Sequence, residues 1–234
     1  MVPDAPAVAL PGRDSAPPEK LSLMRRAMVR HMDEAAAIPC FYLRRTADVS
    51  GLVAWRERAR AASPDRPPSV NDFLVRAAAL ALREHPNVNA SYVDGTIVRH
   101  GRVNVGVAIA VPGGLVVPAV YDADRKDPAA IGADVRALAA RAVARKLDRD
   151  VLGDATFSVS NLGMYGVEEF DAVLNPPQAA ILAVGAAERD RLRLTLGCDH
   201  RVLTGAEGAE FLRTLVVRLE DPDALTAVAP GADA

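Results

Sequence analysis

Cysteine is scarce in this chain, and long apolar runs are missing from it. Only two cysteines, Cys40 and Cys198, occur among the 234 residues, and neither belongs to a CxxC pair or to a spacing that binds metals. This scarcity excludes a disulfide-stabilised scaffold, which needs several paired cysteines. No apolar run approaches the roughly 20 residues that a membrane-spanning helix needs, and the N-terminus lacks a basic region followed by an apolar stretch. We therefore expect a cytoplasmic protein without a membrane segment.

Neither sign of charge dominates the composition. The chain has 28 basic and 30 acidic residues, which gives a net charge of −2 and a pI near 6.1. This balance gives no electrostatic basis for binding nucleic acid or an anionic membrane. The GxSxG elbow of serine hydrolases, the glycine-rich phosphate loop and the HExxH metal motif are also missing. With no pair of histidines at ligand spacing, we expect no metal site.

The composition along the chain predicts one large domain between two short tails. Residues 1–19 are rich in proline and alanine and show no periodicity, so we expect a disordered tail there. Half of all residues are apolar, which is enough for a sizeable core. The segment 20–228 shows no internal repeat and no break, and we expect it to form a single domain. Residues 229–234 are interpreted as a flexible tail.

Hydrophobic periodicity divides this domain into a few long helices and many short strands. The strongest turn signal is Asp94-Gly95, which lies between two β-rich runs and predicts a hairpin. Helices are predicted at 20–37, 49–62, 70–85, 127–146 and 205–219, and strands at 41–49, 90–93, 96–98, 103–111, 115–121, 155–160, 180–185 and 192–198. Hairpin-length links between strands predict an α+β fold, in which a mostly antiparallel or mixed sheet carries helices on one side.

One histidine, His200, stands where a predicted strand turns into a helix, within the run Asp199-His200-Arg201. A side chain at such a junction can be held rigidly and still reach a cleft. The residues alone leave two interpretations open, since His200 is either a catalytic base or a structural histidine tied into the turn by Asp199. The other three histidines are interpreted as surface residues: His31, His85 and His100.

A second candidate lies at the end of the predicted strand 155–160, where the sequence runs Ser160-Asn161-Leu162-Gly163. Ser160 alternates with Val159 and therefore faces the opposite side of the strand. It is either a serine that caps the turn or a hydroxyl donor for a developing oxyanion.

Together with these two stretches, long segments of the chain resemble the catalytic domain of the dihydrolipoamide acyltransferases of 2-oxo acid dehydrogenase complexes. The resemblance covers about residues 20–225 and is carried by 69–95, 103–127, 156–186 and 194–202. The chain is similar, more distantly, to chloramphenicol acetyltransferase, which shares the fold of this family. The resemblance implies a chloramphenicol acetyltransferase-like fold and a homotrimer with active sites between subunits. His200 of one subunit would be the base and Ser160 of the next would stabilise the oxyanion, supported by Asn161, Asp199, Arg201 and Thr204.

The implied reaction is the exchange of an acyl group between a dihydrolipoyl thiol and the thiol of coenzyme A. A neutral imidazole can accept the proton of the attacking thiol, because the thiolate is the nucleophile. A hydroxyl can stabilise the negative oxygen of the tetrahedral intermediate. No covalent enzyme intermediate is required, so the missing nucleophile elbow does not contradict this chemistry.

The chain departs from the family at the motif His-x-x-x-Asp-Gly, because Thr204 takes the place of the acid. The resemblance implies that this aspartate forms a buried ion pair with an arginine and so holds the active-site loop, and threonine cannot neutralise an arginine. Three consequences stay open: the loop is held differently, the activity is reduced, or the reaction has changed. The alternative function is therefore a catalytically weakened scaffold or binding protein of the same fold.

Two further departures concern the acyl donor and the assembly. No Asp-Lys-Ala lipoylation site occurs in the sequence, so we expect a stand-alone acyltransferase. Its acyl carriers are a free coenzyme A thioester, a lipoyl domain acting in trans, or the phosphopantetheine thiol of an acyl-carrier protein. Family members commonly end on an apolar C-terminus that joins trimers into cubic or dodecahedral cores. Because residues 226–234 suit that role poorly, we expect a free trimer.

Overall fold

The computed structural model describes residues 20–62 and 67–227. The predicted tails at 1–19 and 229–234 lie outside the described residues. In the part that is described, no helix is both long enough and apolar enough to cross a membrane.

The centre of the fold is a six-stranded mixed sheet. Its strands are β1 (Cys40–Asp48), β4 (Val105–Val107), β7 (Ala119–Val120), β8 (Phe157–Asn161), β9 (Ala180–Glu188) and β10 (Arg191–Asp199). They lie in the order β1-β10-β9-β8-β4-β7. β8 runs parallel to both β4 and β9, and the other neighbours are antiparallel. The predicted mixed sheet is confirmed.

Two separate two-stranded hairpins complete the β-structure of the described residues. The hairpin predicted around Asp94-Gly95 is formed by β2 (Ala90–Val93) and β3 (Thr96–Arg99). The other consists of β5 (Ile109–Val111) and β6 (Gly114–Val116).

The predictions of single strands at 103–111 and 115–121 were wrong, because each segment is shared between the large sheet and the second hairpin. Ala108, between β4 and β5, donates its amide to Val159 of β8. On the return path Pro118 lies between β6, which pairs with β5, and β7, which pairs with β4. It has no amide to donate, so the strand pairing is interrupted there. Alternation along the sequence could not reveal this change of partner.

Within residues 20–62 and 67–227 there are seven α-helices: α1 (Leu23–Ala36), α2 (Ser50–Ala62), α3 (Val70–Glu84), α4 (Pro128–Val143), α5 (Arg149–Gly153), α6 (Gly205–Leu219) and α7 (Pro222–Thr226). The short helices α5 and α7 were not predicted. α3 begins with a capping box, in which Ser69 accepts from the amide of Asp72 while the Asp72 carboxylate accepts from the amide of Ser69.

The main core lies between the sheet and the helices. Along β9, Ala180, Leu182 and Val184 point into this core, with Phe73 of α3 and Phe211 of α6 on the helical side. Helices α2 to α7 therefore pack on one face of the sheet, as predicted, whereas α1 contributes no residue to this core.

The opposite face of the sheet carries a smaller apolar cluster that contains Ile181 and Ala183. It is covered in part by the crossover segment, residues 167–174, which connects the end of β8 towards β9 and contributes Leu174.

Candidate active site

His200 follows the last residue of β10 and begins the tight turn that leads to α6. Its amide donates to the carbonyl oxygen of Pro39 over 2.9 Å, which fixes the backbone at this point. The imidazole lies against the ring of Phe41, with 4.7 Å between the ring centroids, and the residue is exposed. The histidine is thus held by its backbone and one aromatic contact while its ring stays accessible.

The carboxylate of Asp199 binds Arg201, which argues against the interpretation that Asp199 ties the His200 ring into the turn. Arg201 donates to the carboxylate from Nη2 over 2.7 Å and from Nε over 3.0 Å, and its amide donates over 2.9 Å. Asp199 is 1% exposed. The hydrogen bonds to Asp199 raise the pKa of Arg201, and its guanidinium lies 4.1 Å from the ring centroid of Tyr92.

Thr204 closes the same turn as the N-cap of α6. Its hydroxyl accepts from the amide of Glu207, and the Glu207 carboxylate accepts from the amide of Thr204 over 2.9 Å and from its hydroxyl over 2.8 Å. The hydrogen bond from the Thr204 amide is the main cause that lowers the pKa of Glu207. Sequence reasoning missed Glu207, although the spacing Thr-x-x-Glu before a helix is the signature of a capping box.

Ser160 lies near the end of β8 and is half-buried. It is level with Ala183 of β9, whose side chain belongs to the smaller cluster, so Ser160 faces the side of the sheet opposite the main core. Asn161 closes the strand, because its side chain accepts from the amide of Gly163 over 2.9 Å and donates to Asn71 of α3 over 3.3 Å.

A buried polar network that sequence reasoning did not identify lies two residues before Ser160. The hydroxyl of Ser158 donates to Gln178 over 2.7 Å and accepts from Asn175 over 3.3 Å. The side-chain oxygen Oδ1 of Asn175 contacts Nε2 of His31 over 2.5 Å. The network therefore links α1, the end of the crossover connection and β8.

The prediction that three histidines are plain surface residues was wrong, since all three are half-buried. Besides the contact of His31 with Asn175, His85 contacts Thr214 over 2.9 Å and His100 contacts Ser91 over 2.8 Å. Burial lowers the pKa of His100. In the described residues, no group of three His, Cys, Asp or Glu side chains is arranged to hold a metal ion.

His200 and Ser160 do not meet within one chain. The strand registers place Ser160 level with Ala183 and Thr195, five residues before His200 along β10. Two strand spacings and five residues along the strand separate the two positions by about 10 Å across and about 16 Å along the sheet. His200 contacts Phe41, which packs on the helical core, whereas Ser160 faces the other side. Joint action of the two side chains therefore requires two copies of the chain.

Comparison with known proteins places the chain in a family. The family model "2-oxoacid dehydrogenases acyltransferase (catalytic domain)" matches residues 16–227. The chain belongs to this family. The dihydrolipoyllysine-residue acetyltransferase component of the pyruvate dehydrogenase complex of Rhizobium meliloti is 39% identical over 219 residues, which are 85% of this chain and 49% of that protein. This acyltransferase-family chain thus spans about half the length of that curated relative.

Solved structures of the family share the architecture. Dihydrolipoamide acetyltransferase from Azotobacter vinelandii superposes with a TM-score of 0.85 at 28% identity, covering 95% of this chain and 100% of that one. The cubic core of a pyruvate dehydrogenase multienzyme complex gives the same values. Chloramphenicol acetyltransferase gives a TM-score of 0.54 at 14% identity over 82% of this chain and 93% of its own, which concerns the fold alone. The family resemblance and the fold are confirmed.

Proposed function

We propose that this domain is an acyltransferase that moves an acyl group between the thiol of coenzyme A and a dihydrolipoyl thiol. The observation that carries the proposal is the match to the acyltransferase catalytic domain over residues 16–227, which includes His200 and Ser160. The rigid backbone and exposed ring of His200 support its assignment as the base.

In this proposal His200 accepts the proton of the attacking thiol. The sulfur forms a new C–S bond to the acyl carbon, and the carbonyl oxygen becomes an oxyanion. When the intermediate collapses, the C–S bond to the departing carrier breaks, and His200 returns the proton to the departing thiolate. The reaction is balanced in both directions and needs no oxidant or reductant. A positioned general base of this kind contributes about 10²–10⁴ in rate.

The hydroxyl of Ser160 from a neighbouring subunit donates to the oxyanion in the same intermediate. Because the two side chains lie at different levels and on different faces of one sheet, the proposal includes a homotrimer in which each site combines two subunits. In a closed cyclic trimer every interface is equivalent, so three such sites form.

Thr204 does not argue against catalysis. In the Azotobacter vinelandii enzyme, the residues studied for their role in the catalytic mechanism are a serine, a histidine and an asparagine that lies four positions after the histidine. Thr204 lies four positions after His200 in this chain. An uncharged hydrogen-bonding side chain at this spacing therefore occurs in a studied acetyltransferase, which favours the acyltransferase over the weakened scaffold.

Three kinds of acyl carrier are compatible with this chemistry. A coenzyme A thioester, a lipoyl domain in trans and the phosphopantetheine thiol of a carrier protein all present a thiol or thioester of the same chemistry. We propose a cytoplasmic homotrimer, and a solution mass equal to that of a single chain would overturn the trimer.

The proposal is tested with acetyl-coenzyme A and dihydrolipoamide by following the release of coenzyme A chromatographically, with succinyl and branched acyl donors in parallel. We expect His200→Ala to reduce transfer by about 10²–10⁴ and Ser160→Ala by about 10²–10³. Thermal unfolding of each variant serves as the control for folding. Wild-type protein that transfers no acyl group, or a His200→Ala variant with full activity, would refute the proposal.

Mixing the two inactive variants tests whether the site is shared. After unfolding and joint refolding in equal amounts, about a quarter of the sites receive an intact histidine from one subunit and an intact serine from the next. We therefore expect about a quarter of the wild-type activity. Activity no higher than that of the separate variants would show that the two residues do not act across subunits.

A further inference from the structure

The turn that carries His200 is anchored at both of its ends to the β2–β3 hairpin and the loop that precedes it. At the first end, Asp199 holds Arg201, whose guanidinium lies on Tyr92 of β2. At the other end, Thr204 is bonded to Glu207. Between them, Leu203 is buried in the core. The position of His200 thus depends on how firmly both anchors are fixed.

Glu207 has more partners than a capping box requires. One carboxylate oxygen, Oε2, accepts from the amide and the hydroxyl of Thr204. The other, Oε1, accepts from Nδ2 of Asn87 over 2.6 Å. For Asp72 of the capping box at α3, by contrast, the only hydrogen bond found to its carboxylate within the described residues is that from the amide of Ser69. The additional bond of Glu207 reaches a different part of the chain.

Asn87 connects Glu207 to the guanidinium of Arg99. Its Oδ1 accepts from Nε of Arg99 on β3 over 2.7 Å, while its Nδ2 donates to Glu207. A carboxylate only accepts and a guanidinium only donates, so these two neighbours fix the orientation of the Asn87 amide. Hydrogen bonds to charged groups are the stronger ones, and both ends of this series are charged.

We propose that Glu207 is a positioning residue for His200, connected through Asn87 to Arg99. Glu207 supplies a carboxylate one helical turn beyond Thr204 and holds the end of the His200 turn against the hairpin. This inference rests on the proposed role of His200 as the base. It explains how the turn is held although Thr204 itself carries no charge.

The first test separates this role from plain helix capping. Asn87→Ala removes the link to Arg99 and deletes neither side chain of the Thr204–Glu207 capping box, so any loosening of the box comes from the lost link. Because a displacement of about 1 Å at a reacting group can cost about 10²-fold, we expect a decrease of about 10- to 100-fold in kcat with little change in KM. The matched control is Asp127→Ala, which removes the N-cap of α4, where Asp127 accepts from the amide of Ala130. The control should lower the melting temperature and leave kcat within about twofold.

The second test moves the carboxylate. Glu207→Ala removes it, and Thr204→Asp places a second carboxylate beside Glu207, where the Thr204 hydroxyl now lies 2.8 Å from Oε2. Glu207→Ala loses the hydrogen bonds to Thr204 and Asn87, and in Thr204→Asp two carboxylates at that distance repel each other. Each single variant should therefore lose about tenfold or more in kcat. The double variant keeps one carboxylate at this end of the turn and should recover to within about threefold of wild type. Losses that multiply in the double variant would overturn the inference.

A readout independent of activity distinguishes this inference from the proposed function. The amide of Thr204 donates to Glu207, so its hydrogen exchange, measured by NMR, should accelerate about tenfold or more in Glu207→Ala and Asn87→Ala and stay unchanged in Asp127→Ala. If wild-type protein transfers no acyl group but the exchange changes as expected, the proposed function fails while the link stands. If exchange in Asn87→Ala equals that of wild type, the link itself is refuted.

Discussion

Replacing Gly185 with alanine is expected to displace the crossover segment that follows the Ser160 turn. A Cβ at this position of β9 would lie 1.8 Å from the carbonyl oxygen and 2.6 Å from the carbonyl carbon of Glu168. Cβ atoms essentially never come within 3.0 Å of such atoms, so the two backbones must separate by more than about 1 Å. The neighbouring residue Val167 accepts from the amide of Ala186 over 2.7 Å, and that bond opposes the movement.

The magnitude follows from the cost of overpacking, which is about 1–3 kcal/mol. For a domain of this size each kcal/mol lowers the melting temperature by about 2–4 °C, so we expect a decrease of about 2–12 °C in a calorimetric scan. The turn after Ser160 rests on the same strand, because the amide of Leu162 donates to Val184 over 3.0 Å. Transfer should therefore also decrease, by up to about 10²-fold if Ser160 shifts by 1 Å.

Gly153→Ala is the matched control, because a Cβ added there meets no heavy atom within 4 Å. Its melting temperature should equal or slightly exceed that of wild type, since alanine restricts the unfolded chain more than glycine does. The reasoning would be refuted if Gly185→Ala melted within about 1 °C of wild type, because the segment would then accommodate the methyl group without strain.

Two further predictions concern stability. Phe211→Ala removes a side chain that is 0% exposed and packs against Phe157, and should lower the free energy of unfolding in urea by about 3–5 kcal/mol. The control is Val217→Ala on the same helix, where the side chain is 56% exposed and stability should change by less than about 0.5 kcal/mol. Equal effects of the two substitutions would contradict this assignment of the core. Because folding lowers the pKa of Glu207 below its ordinary value of 4.5, the ionised carboxylate stabilises the fold at pH values above 4.5. The free energy of unfolding of wild type should therefore exceed that of Glu207→Gln near neutral pH, and this difference should vanish as the pH falls through the folded pKa. A difference that persists in acid would exclude this cause.

Much of the candidate site was accessible from the sequence because its signals are local. The strand-to-helix junction predicted α6, Gly205–Leu219, with both ends correct, and it isolated His200 as the histidine worth testing. The Ser160-Asn161 strand end was found for the same reason, since a strand followed by a turn is encoded within a few residues.

The signal for Glu207 is equally local, because Thr-x-x-Glu before a helix is the pattern of a capping box. Its partners could not have been found in this way. Asn87 and Arg99 lie more than 100 residues earlier in the chain, and only the folded arrangement brings them to the first turn of α6.

The sequence by itself determined the long helices and most of the strands, which residues are candidates for acid–base chemistry and to which family the chain belongs. These properties depend on side-chain chemistry and on spacings of two to four residues. Tertiary structure alone decided that the segments 103–111 and 115–121 divide between two sheets and that His200 and Ser160 occupy different faces and levels of one sheet. Strand register and chain crossing set these distances, and both result from packing between segments far apart in sequence.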